Sequence, residues 1–339
     1  MPSDSHGMPG PHDILVYQEY APETKVSSWK PGFFNSTLPK GITRYITNGA
    51  DVSIPSENLG FYFSGIHAKD WGPVAAYNGS AGTRAESMMA VKLGNGQDDI
   101  SWENITLPSA ISGRANAELV WIPVSQQGVL AVVGGVVHPE GIYPTGLSAS
   151  QKEDNTAFRT ESVQGLWRRF RFMISRTENG TPPPSLPVMV PEETLTLYRH
   201  LQNTTGNIPR QGRTLFCSAV ASASDGSSHN IYIYGGYDGQ DAEHTPYDDV
   251  YILSLPSFTW VKGRVGTTEH GRSGHRCFRV FPDQMLIVGG RFKDPSQCVK
   301  GGIVQSLNLN SLDFQTSYRP DSWQEYRVPA VLTHNIGGR

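Results

Sequence analysis

The sequence has few charged residues, few cysteines and no long apolar run. Of its 339 residues, 28 are Lys or Arg and 31 are Asp or Glu, which gives a formal net charge of -3. The sequence therefore predicts no basic surface for nucleic acid or for an anionic membrane. A charged fraction of 17%, beside 36 glycines and 24 prolines, favours short strands joined by frequent turns over long helices.

The ends of the chain lack the signals of export and membrane insertion. The first residues, MPSDSHGMPGPHDI, have neither the basic nor the apolar segment of a signal peptide. No window reaches the roughly 18 apolar residues of a membrane span. As written, the sequence predicts a cytoplasmic protein. Against this expectation stand five Asn-x-Ser/Thr sequons, which would be N-glycosylation sites in a secreted protein and indicate a secreted ancestry: Asn35, Asn78, Asn104, Asn179 and Asn203.

A strand-like apolar run that ends in glycine recurs along the chain. The runs are GFYFSG, VLAVVGG, IYIYGG, QMLIVGG and VLTHNIGG, at a spacing of about 50 residues with one longer interval. We predict that their glycines have a structural role at the ends of strands, where a Cβ would be resisted. These glycines are Gly65, Gly134, Gly135, Gly235, Gly236, Gly289, Gly290, Gly337 and Gly338.

Two hairpins surround each of these glycine motifs. GRANAELVWIPVSQQGVLAVVGG and GRSGHRCFRVFPDQMLIVGG each open on Gly-Arg and contain a first hairpin, while SMMAVKLGNGQDDISW and YDDVYILSLPSFTW contain a second one. Two hairpins per repeat predict a four-stranded antiparallel sheet. The second strand of such a sheet, IYIY in one repeat, is expected to be buried on both faces.

This pattern resembles the kelch repeat of β-propellers, and it covers nearly all of residues 11–338. PSENLGFYFSG, DGSSHNIYIYGGYDG and GHRCFRVFPDQMLIVGG look most like fungal kelch-repeat proteins with a galactose-oxidase-like central domain. The resemblance implies an all-β fold, a kelch-type propeller of four-stranded antiparallel blades. About five units are visible, in a closed or incomplete ring. Pairing of the amino-terminal hairpin, 13–29, with the last strands would complete the fifth sheet.

The domain organisation follows from the same pattern. Residues 1–10 are expected to be disordered, and residues 11–339 to form a single propeller domain with an irregular insert at about 150–205. Within this insert the run WRRFRF and a Pro-rich segment replace the expected second hairpin. Such a long loop in a compact domain is typical of a functional or disordered segment.

The resemblance also places the cysteines. Cys277 would lie in the first strand of its blade and Cys298 in the loop after the second strand, so a disulfide between them is expected in an oxidising compartment. Cys217 is interpreted as a buried, unpaired residue. Because no Cys-x-x-Cys spacing occurs, the sequence predicts no zinc site.

No pattern of catalytic residues is recognised. Galactose oxidase binds copper on this scaffold, but no segment here matches its ligand motifs, and His275 is interpreted as part of an ordinary kelch turn. The acidic segment 238–249 lacks the order of a calcium loop and is interpreted as a solvated loop. We therefore expect no catalytic residues, no metal and no cofactor.

A binding or scaffold protein that uses the propeller-face loops is the leading functional hypothesis. The expected ligand is a protein partner or a small molecule, and the chain is expected to be a monomer. Two alternatives stay open. One is an accessory, even catalytic, kelch-like protein of fungal secondary metabolism, similar to those of terrein-type polyketide clusters; the other is a truncated cell-wall or surface protein.

Overall fold

The structure is a computed structural model made almost entirely of strands. It describes residues 14–15, 33–34, 46–67, 83–94, 100–107, 111–124, 128–137, 169–173, 200–209, 213–238, 245–267, 269–292, 299, 301–317 and 320–337. Among these residues, one α-helix, α1 (Ala330–Ile336), follows the strands, and two short 3-10 helices lie at Pro55–Glu57 and Pro320–Ser322. The strands are β1 (Ile14–Leu15), β2 (Phe33–Phe34), β3 (Ile46–Thr47), β4 (Ala50–Ile54), β5 (Leu59–Phe63), β6 (Ile66–His67), β7 (Thr83–Arg84), β8 (Ser87–Leu93), β9 (Ile100–Thr106), β10 (Glu118–Ile122), β11 (Val129–Val133), β12 (Arg169–Met173), β13 (His200–Asn203), β14 (Thr205–Gly206), β15 (Cys217–Ser222), β16 (His229–Tyr234), β17 (Val250–Leu255), β18 (Thr259–Arg264), β19 (Ser273–Phe281), β20 (Gln284–Arg291), β21 (Val304–Asn308) and β22 (Phe314–Gln315).

Four antiparallel sheets follow one another along the chain. Sheet 1 has the order β4-β5-β8-β9, sheet 2 β10-β11-β12-β13, sheet 3 β15-β16-β17-β18 and sheet 4 β19-β20-β21-β22. In sheet 3, β14 adds a short parallel pairing to the outer strand β18. Two small sheets, β1-β2 and β3-β6-β7, complete the described strands. The predicted all-β architecture of four-stranded antiparallel units is confirmed.

Each sheet packs against the next one through a hydrophobic core. One core joins sheets 1 and 2, a second joins sheets 2 and 3, and a third joins sheets 3 and 4. The first strands β4, β10, β15 and β19 contact one another in this order, so they form the inner edge of the array. Stacked four-stranded sheets whose first strands converge are the arrangement of β-propeller blades. Within the described residues no core joins sheet 4 to sheet 1, and no closed ring is seen.

The second strand of sheet 3 shows why these strands are apolar throughout. Ile231 and Ile233 pack toward sheet 2, while Tyr232 and Tyr234 pack toward sheet 4, and all four are fully buried. Because successive side chains of a strand point to opposite faces, a strand between two sheets needs apolar residues at every position. The prediction of burial on both faces is confirmed.

The double glycine after this strand is required by conformation and by space. Gly235 and Gly236 have φ values of +67° and +86°, which side chains rarely adopt. A Cβ on Gly236 would lie 2.6 Å from the carbonyl oxygen of Thr214. Positive φ is shared by the other predicted motif glycines, Gly65, Gly134, Gly135, Gly289 and Gly290.

The predicted strand before the last glycine pair is wrong. Residues 330–336 form the helix α1, so Gly337 follows a helix rather than a strand, and Gly338 lies outside the described residues. Leu332 is fully buried in the core between sheets 3 and 4, where Val328 and Ile336 also pack. The spacing of four residues between these apolar positions matches a helical face. Within the described residues, this end of the chain therefore has no strand that could close a ring.

Sheet 2 corrects the interpretation of the insert. Its third and fourth strands are β12 and β13, which pair with each other and through β12 with β11. The run WRRFRF thus supplies the start of the second hairpin instead of replacing it. Residues 174–199, between the two strands, lie outside the described residues.

Candidate binding site at the inner edge of the sheets

Polar side chains from all four sheets meet where the first strands converge. Asp51 on β4, Glu118 on β10, Ser218 on β15 and Arg276 on β19 form this group, which we call the axial cluster. The backbone N–H and the hydroxyl of Ser218 donate to Glu118 Oε2 at 3.1 and 2.8 Å. Arg276 lies 3.7 Å from Glu118 Oε1 and 3.6 Å from Asp51 Oδ1. Four separate segments of the sequence therefore build one site.

The carboxyl group of Glu118 is the buried member of the axial cluster. Its side chain is 15% exposed, against 55% for Arg276 and 59% for Asp51. Burial raises the pKa of Glu118 from 4.5 to about 7, because a charged carboxylate loses hydration there. The hydrogen bonds from Ser218 and the charge of Arg276 oppose this rise. Glu118 can thus gain or lose a proton near neutral pH.

Arg276 is held by charge rather than by close hydrogen bonds. Its two ion pairs are longer than 3.5 Å, beyond hydrogen-bond distance. The guanidinium group carries five N–H donors in a planar fork that suits a carboxylate. A group outside the chain can therefore bind Arg276 without first breaking a short hydrogen bond to either carboxyl group.

Arg276 also lies on an apolar sheet surface. One face of sheet 4 packs against sheet 3, and the side chains of its other face point away from sheet 3. We call this second surface the open face. Phe278 and Val304 on it are 54% and 49% exposed, and Leu286 and Val288 between them are half-buried. The open face consists of Arg276, Phe278, Leu286, Val288 and Val304.

Buried arginines explain the Gly-Arg openings of the repeats. Arg114, Arg213 and Arg272 are almost completely buried, and each donates to the carbonyl oxygen of the first glycine of a pair. The donor-to-oxygen distances are 3.1 Å to Gly134, 2.6 Å to Gly235 and 3.0 Å to Gly289. These arginines stabilise the turns that follow the second strands, so they belong to the scaffold.

The acidic segment after sheet 3's double glycine also has a structural role. Asp249 forms an ion pair of 2.7 Å with Arg213, and Asp248 accepts hydrogen bonds from the N–H and hydroxyl of Thr267. Both carboxyl groups belong to buried residues. The interpretation of this part of the segment as a solvated loop is wrong, since these aspartates fix the loop to its neighbours. Residues 239–244 lie outside the described residues.

The structure pairs the cysteines differently from the expectation. Cys277 forms a disulfide with Cys217, with the two Cα atoms 5.4 Å apart, so both the predicted bond to Cys298 and the unpaired Cys217 are wrong. Cys217 faces sheet 4 and Cys277 faces sheet 3, and both side chains enter the same core. The disulfide therefore links neighbouring sheets. Cys298 lies outside the described residues.

The remaining predicted positions are distributed over the surface. Asn104 on β9 and Asn203 on β13 are exposed, whereas Asn35, Asn78 and Asn179 lie outside the described residues. The described part of the chain contains no helix with the length and hydropathy of a membrane span.

Sequence reasoning missed the axial cluster. The available signal was a polar residue in the first strands that follow a Gly-Arg opening, such as Glu118 after Gly113 and Arg114, or Arg276 after Gly271 and Arg272. The stacking order of the sheets was needed to bring these residues together.

Comparison with known proteins agrees with the repeat architecture. No protein-family model matches the chain. A kelch repeat-containing protein of Arthroderma benhamiae is 33% identical over 159 residues, covering 40% of this chain and 24% of the relative. The chain thus matches about a quarter of that protein's length.

Solved structures are similar at a lower level. A structure of YjhT has a TM-score of 0.49 and 13% identity, over 86% of this chain and 75% of that one. A fungal alcohol oxidase of the AA5 family, in complex with copper, has a TM-score of 0.40 and 11% identity, over 84% and 54%. Neither likeness carries a conclusion about activity. The alignment with the Arthroderma protein shows that part of this chain is similar to a fungal kelch repeat-containing protein, which agrees with the repeated four-stranded sheets.

Proposed function

We propose that this chain is a non-enzymatic binding protein, and that its partner is another protein that covers the open face. The supporting observation is the open face itself. Phe278 and Val304 are about half exposed although they belong to regular strands of a packed sheet. Contiguous exposed apolar surface is typical of a site of protein association.

Arg276 indicates which charged group the partner should carry at the interface. Since the guanidinium group stands beside Phe278 with its closest carboxyl oxygens at 3.6 and 3.7 Å, it can accept a further carboxylate. A partner that places apolar side chains on Phe278 and Val304 and an Asp or Glu next to Arg276 complements both features. Aromatic and arginine side chains together are typical of the energetic centres of protein interfaces.

Photo-cross-linking from single positions tests this proposal. A benzophenone amino acid replaces Phe278, Val304 or, as a control, Val265, which is exposed but lies in the connection between sheets 3 and 4. We expect irradiation in fungal cells to give the same cross-linked protein from positions 278 and 304 but not from 265. Substitution Arg276→Gln should reduce the yield by about tenfold, as expected for the loss of one charged interface contact.

Other outcomes would overturn the proposal. Equal cross-linking from all three positions would mean nonspecific contact. Products that contain two copies of this chain would show that the open face binds a second copy of the chain instead of a different protein. Absence of any product from positions 278 and 304 would contradict a protein partner. Turnover of a substrate by the purified chain would contradict the non-enzymatic role.

A small polar ligand at the axial cluster is the second candidate. It is supported by the convergence of a carboxyl group with a pKa of about 7, a hydroxyl and a guanidinium group at one place. A role in fungal secondary metabolism would be exercised through such a ligand, so it is part of this second candidate function. Native mass spectrometry of the chain isolated from fungal cells would show the ligand as an added mass that is absent from Glu118→Ala.

A further inference from the structure

Two cysteines and a histidine lie together in the core between sheets 3 and 4. The ligand atoms of Cys217, His275 and Cys277 are all within 4.8 Å of one another. In the structure the two sulfur atoms form a disulfide, and His275 is 2% exposed. The group belongs neither to the axial cluster nor to the open face, because His275 and Cys277 point to the opposite side of β19 from Arg276 and Phe278.

One ring nitrogen of His275 has a hydrogen-bond partner and the other has none. Nε2 is 3.1 Å from the carbonyl oxygen of Tyr234, which can only accept, so the ring proton is on Nε2. Nδ1 is buried and has no partner in the described part of the chain. A histidine whose second nitrogen donates to a backbone carbonyl is oriented as metal-binding histidines are.

The ring of His275 is held in place by a neighbouring aromatic side chain. Tyr234 packs edge-on against the ring, with centroids 5.3 Å apart, and so restricts its rotation.

We propose that reduction of the Cys217–Cys277 disulfide creates a zinc site formed by Cys217 Sγ, Cys277 Sγ and His275 Nδ1. Zinc binds thiolate and imidazole ligands in tetrahedral geometry, and water can take the fourth position. Two thiolates neutralise the charge of Zn²⁺, so the site adds no net charge to a core that already has Arg213 and Arg272 nearby. Ligands contributed by two sheets replace the local Cys-x-x-Cys motif that the sequence lacks.

The disulfide state and the zinc-bound state interconvert by reduction and oxidation. A dithiol reductant transfers two electrons and two protons to the disulfide, which becomes two thiols while the reductant becomes a disulfide. Zinc then displaces the two protons as the two Zn–S bonds form. In the reverse direction a disulfide oxidant accepts two electrons from the two thiolates and takes up two protons, so it becomes two thiols while the S–S bond forms again and Zn²⁺ is released. Sheets 3 and 4 thus remain linked, by sulfur alone in one state and through the metal in the other.

Metal titration of the purified full chain tests this proposal. The chain is reduced by a phosphine, separated from the reductant without oxygen, and given zinc or cobalt(II), with the oxidised chain treated in parallel. We expect about one zinc ion per reduced chain, none on the oxidised chain, and thiolate-to-cobalt charge-transfer absorption. Cys298→Ser and His334→Gln are matched controls and should bind as the wild type does.

Two variants separate metal binding from folding. His275→Gln retains both cysteines and should bind zinc at least about tenfold more weakly, and Cys277→Ser should remove the charge-transfer band. Circular dichroism checks that each variant keeps its sheet content. The proposal is overturned by equal zinc uptake in the reduced and oxidised chains, by unchanged affinity in His275→Gln, or by loss of binding in Cys298→Ser.

Discussion

Replacement of Glu118 by glutamine should remove a pH dependence of stability that the axial cluster creates. Glutamine has nearly the shape of a protonated glutamic acid, and its amide oxygen can still accept from Ser218. The variant therefore resembles the wild type at acid pH and differs from it only when the carboxyl group is charged.

The magnitude follows from the pKa of Glu118, which rises from 4.5 to about 7 on folding. Each pKa unit corresponds to about 1.4 kcal/mol, so this rise corresponds to about 3 kcal/mol. Because the folded-state pKa is above the unfolded one, the folded protein holds the additional proton between these values. The stabilisation is complete below pH 4.5 and is lost as the pH rises through 7.

Urea unfolding at pH values from 4.5 to 8.5 measures this effect. The free energies of unfolding of wild type and Glu118→Gln should be similar at pH 4.5, and the wild type should be less stable by about 3 kcal/mol at pH 8.5. Glu57→Gln removes an exposed carboxylate and serves as the control. In Arg276→Gln the loss of stability with rising pH should be larger and should extend to higher pH, since Arg276 lowers the pKa of Glu118. A difference between wild type and Glu118→Gln that stays constant over this range would refute the reasoning.

Three further predictions test the scaffold, each by urea unfolding. Gly236→Ala should cost about 2 kcal/mol or more, because of its positive φ and the contact with Thr214, while Gly226→Ala, with a φ of +68° and open space, should cost less. Leu332→Ala should cost about 2–5 kcal/mol if α1 is part of the core, whereas a cost below about 1 kcal/mol would contradict its burial. Arg213→Ala should cost about 3 kcal/mol by leaving the buried Asp249 with only its longer ion pair of 3.7 Å to Lys262, and Arg213→Lys should cost less; equal stability of all three proteins would contradict the buried ion pair.

The sheets could be predicted because their signals are local. The run IYIY before Gly235 and Gly236 specifies both the strand and its burial on two faces, and the same pattern recurs in the neighbouring sheets. A periodic pattern of this kind can be recognised without knowing which distant residues contact it.

The errors have a different physical origin. Residues 330–336 end in Gly337 as the strands do, but the apolar positions Leu332 and Ile336 pack as one face of a helix. The cysteine pairing depends on which side of a strand each residue faces, and a shift of one position reverses that side.

The axial cluster depends on tertiary structure in the same way. The sequence separation between Glu118 and Ser218 is 100 residues, yet Ser218 donates two hydrogen bonds to that carboxyl group. The packing of sheet 2 against sheet 3 creates this proximity, and the burial that comes with it raises the pKa of Glu118.

The affinity of the cross-linked partner for the open face is the most direct test of the proposed function. The dissociation constant would be measured for the wild type, for Phe278→Asp and for the control Val265→Asp. We predict that Phe278→Asp weakens binding by tenfold or more, which is about 1.4 kcal/mol, and that Val265→Asp leaves binding unchanged. Equal dissociation constants for the wild type and Phe278→Asp would contradict the assignment of the open face as the binding surface.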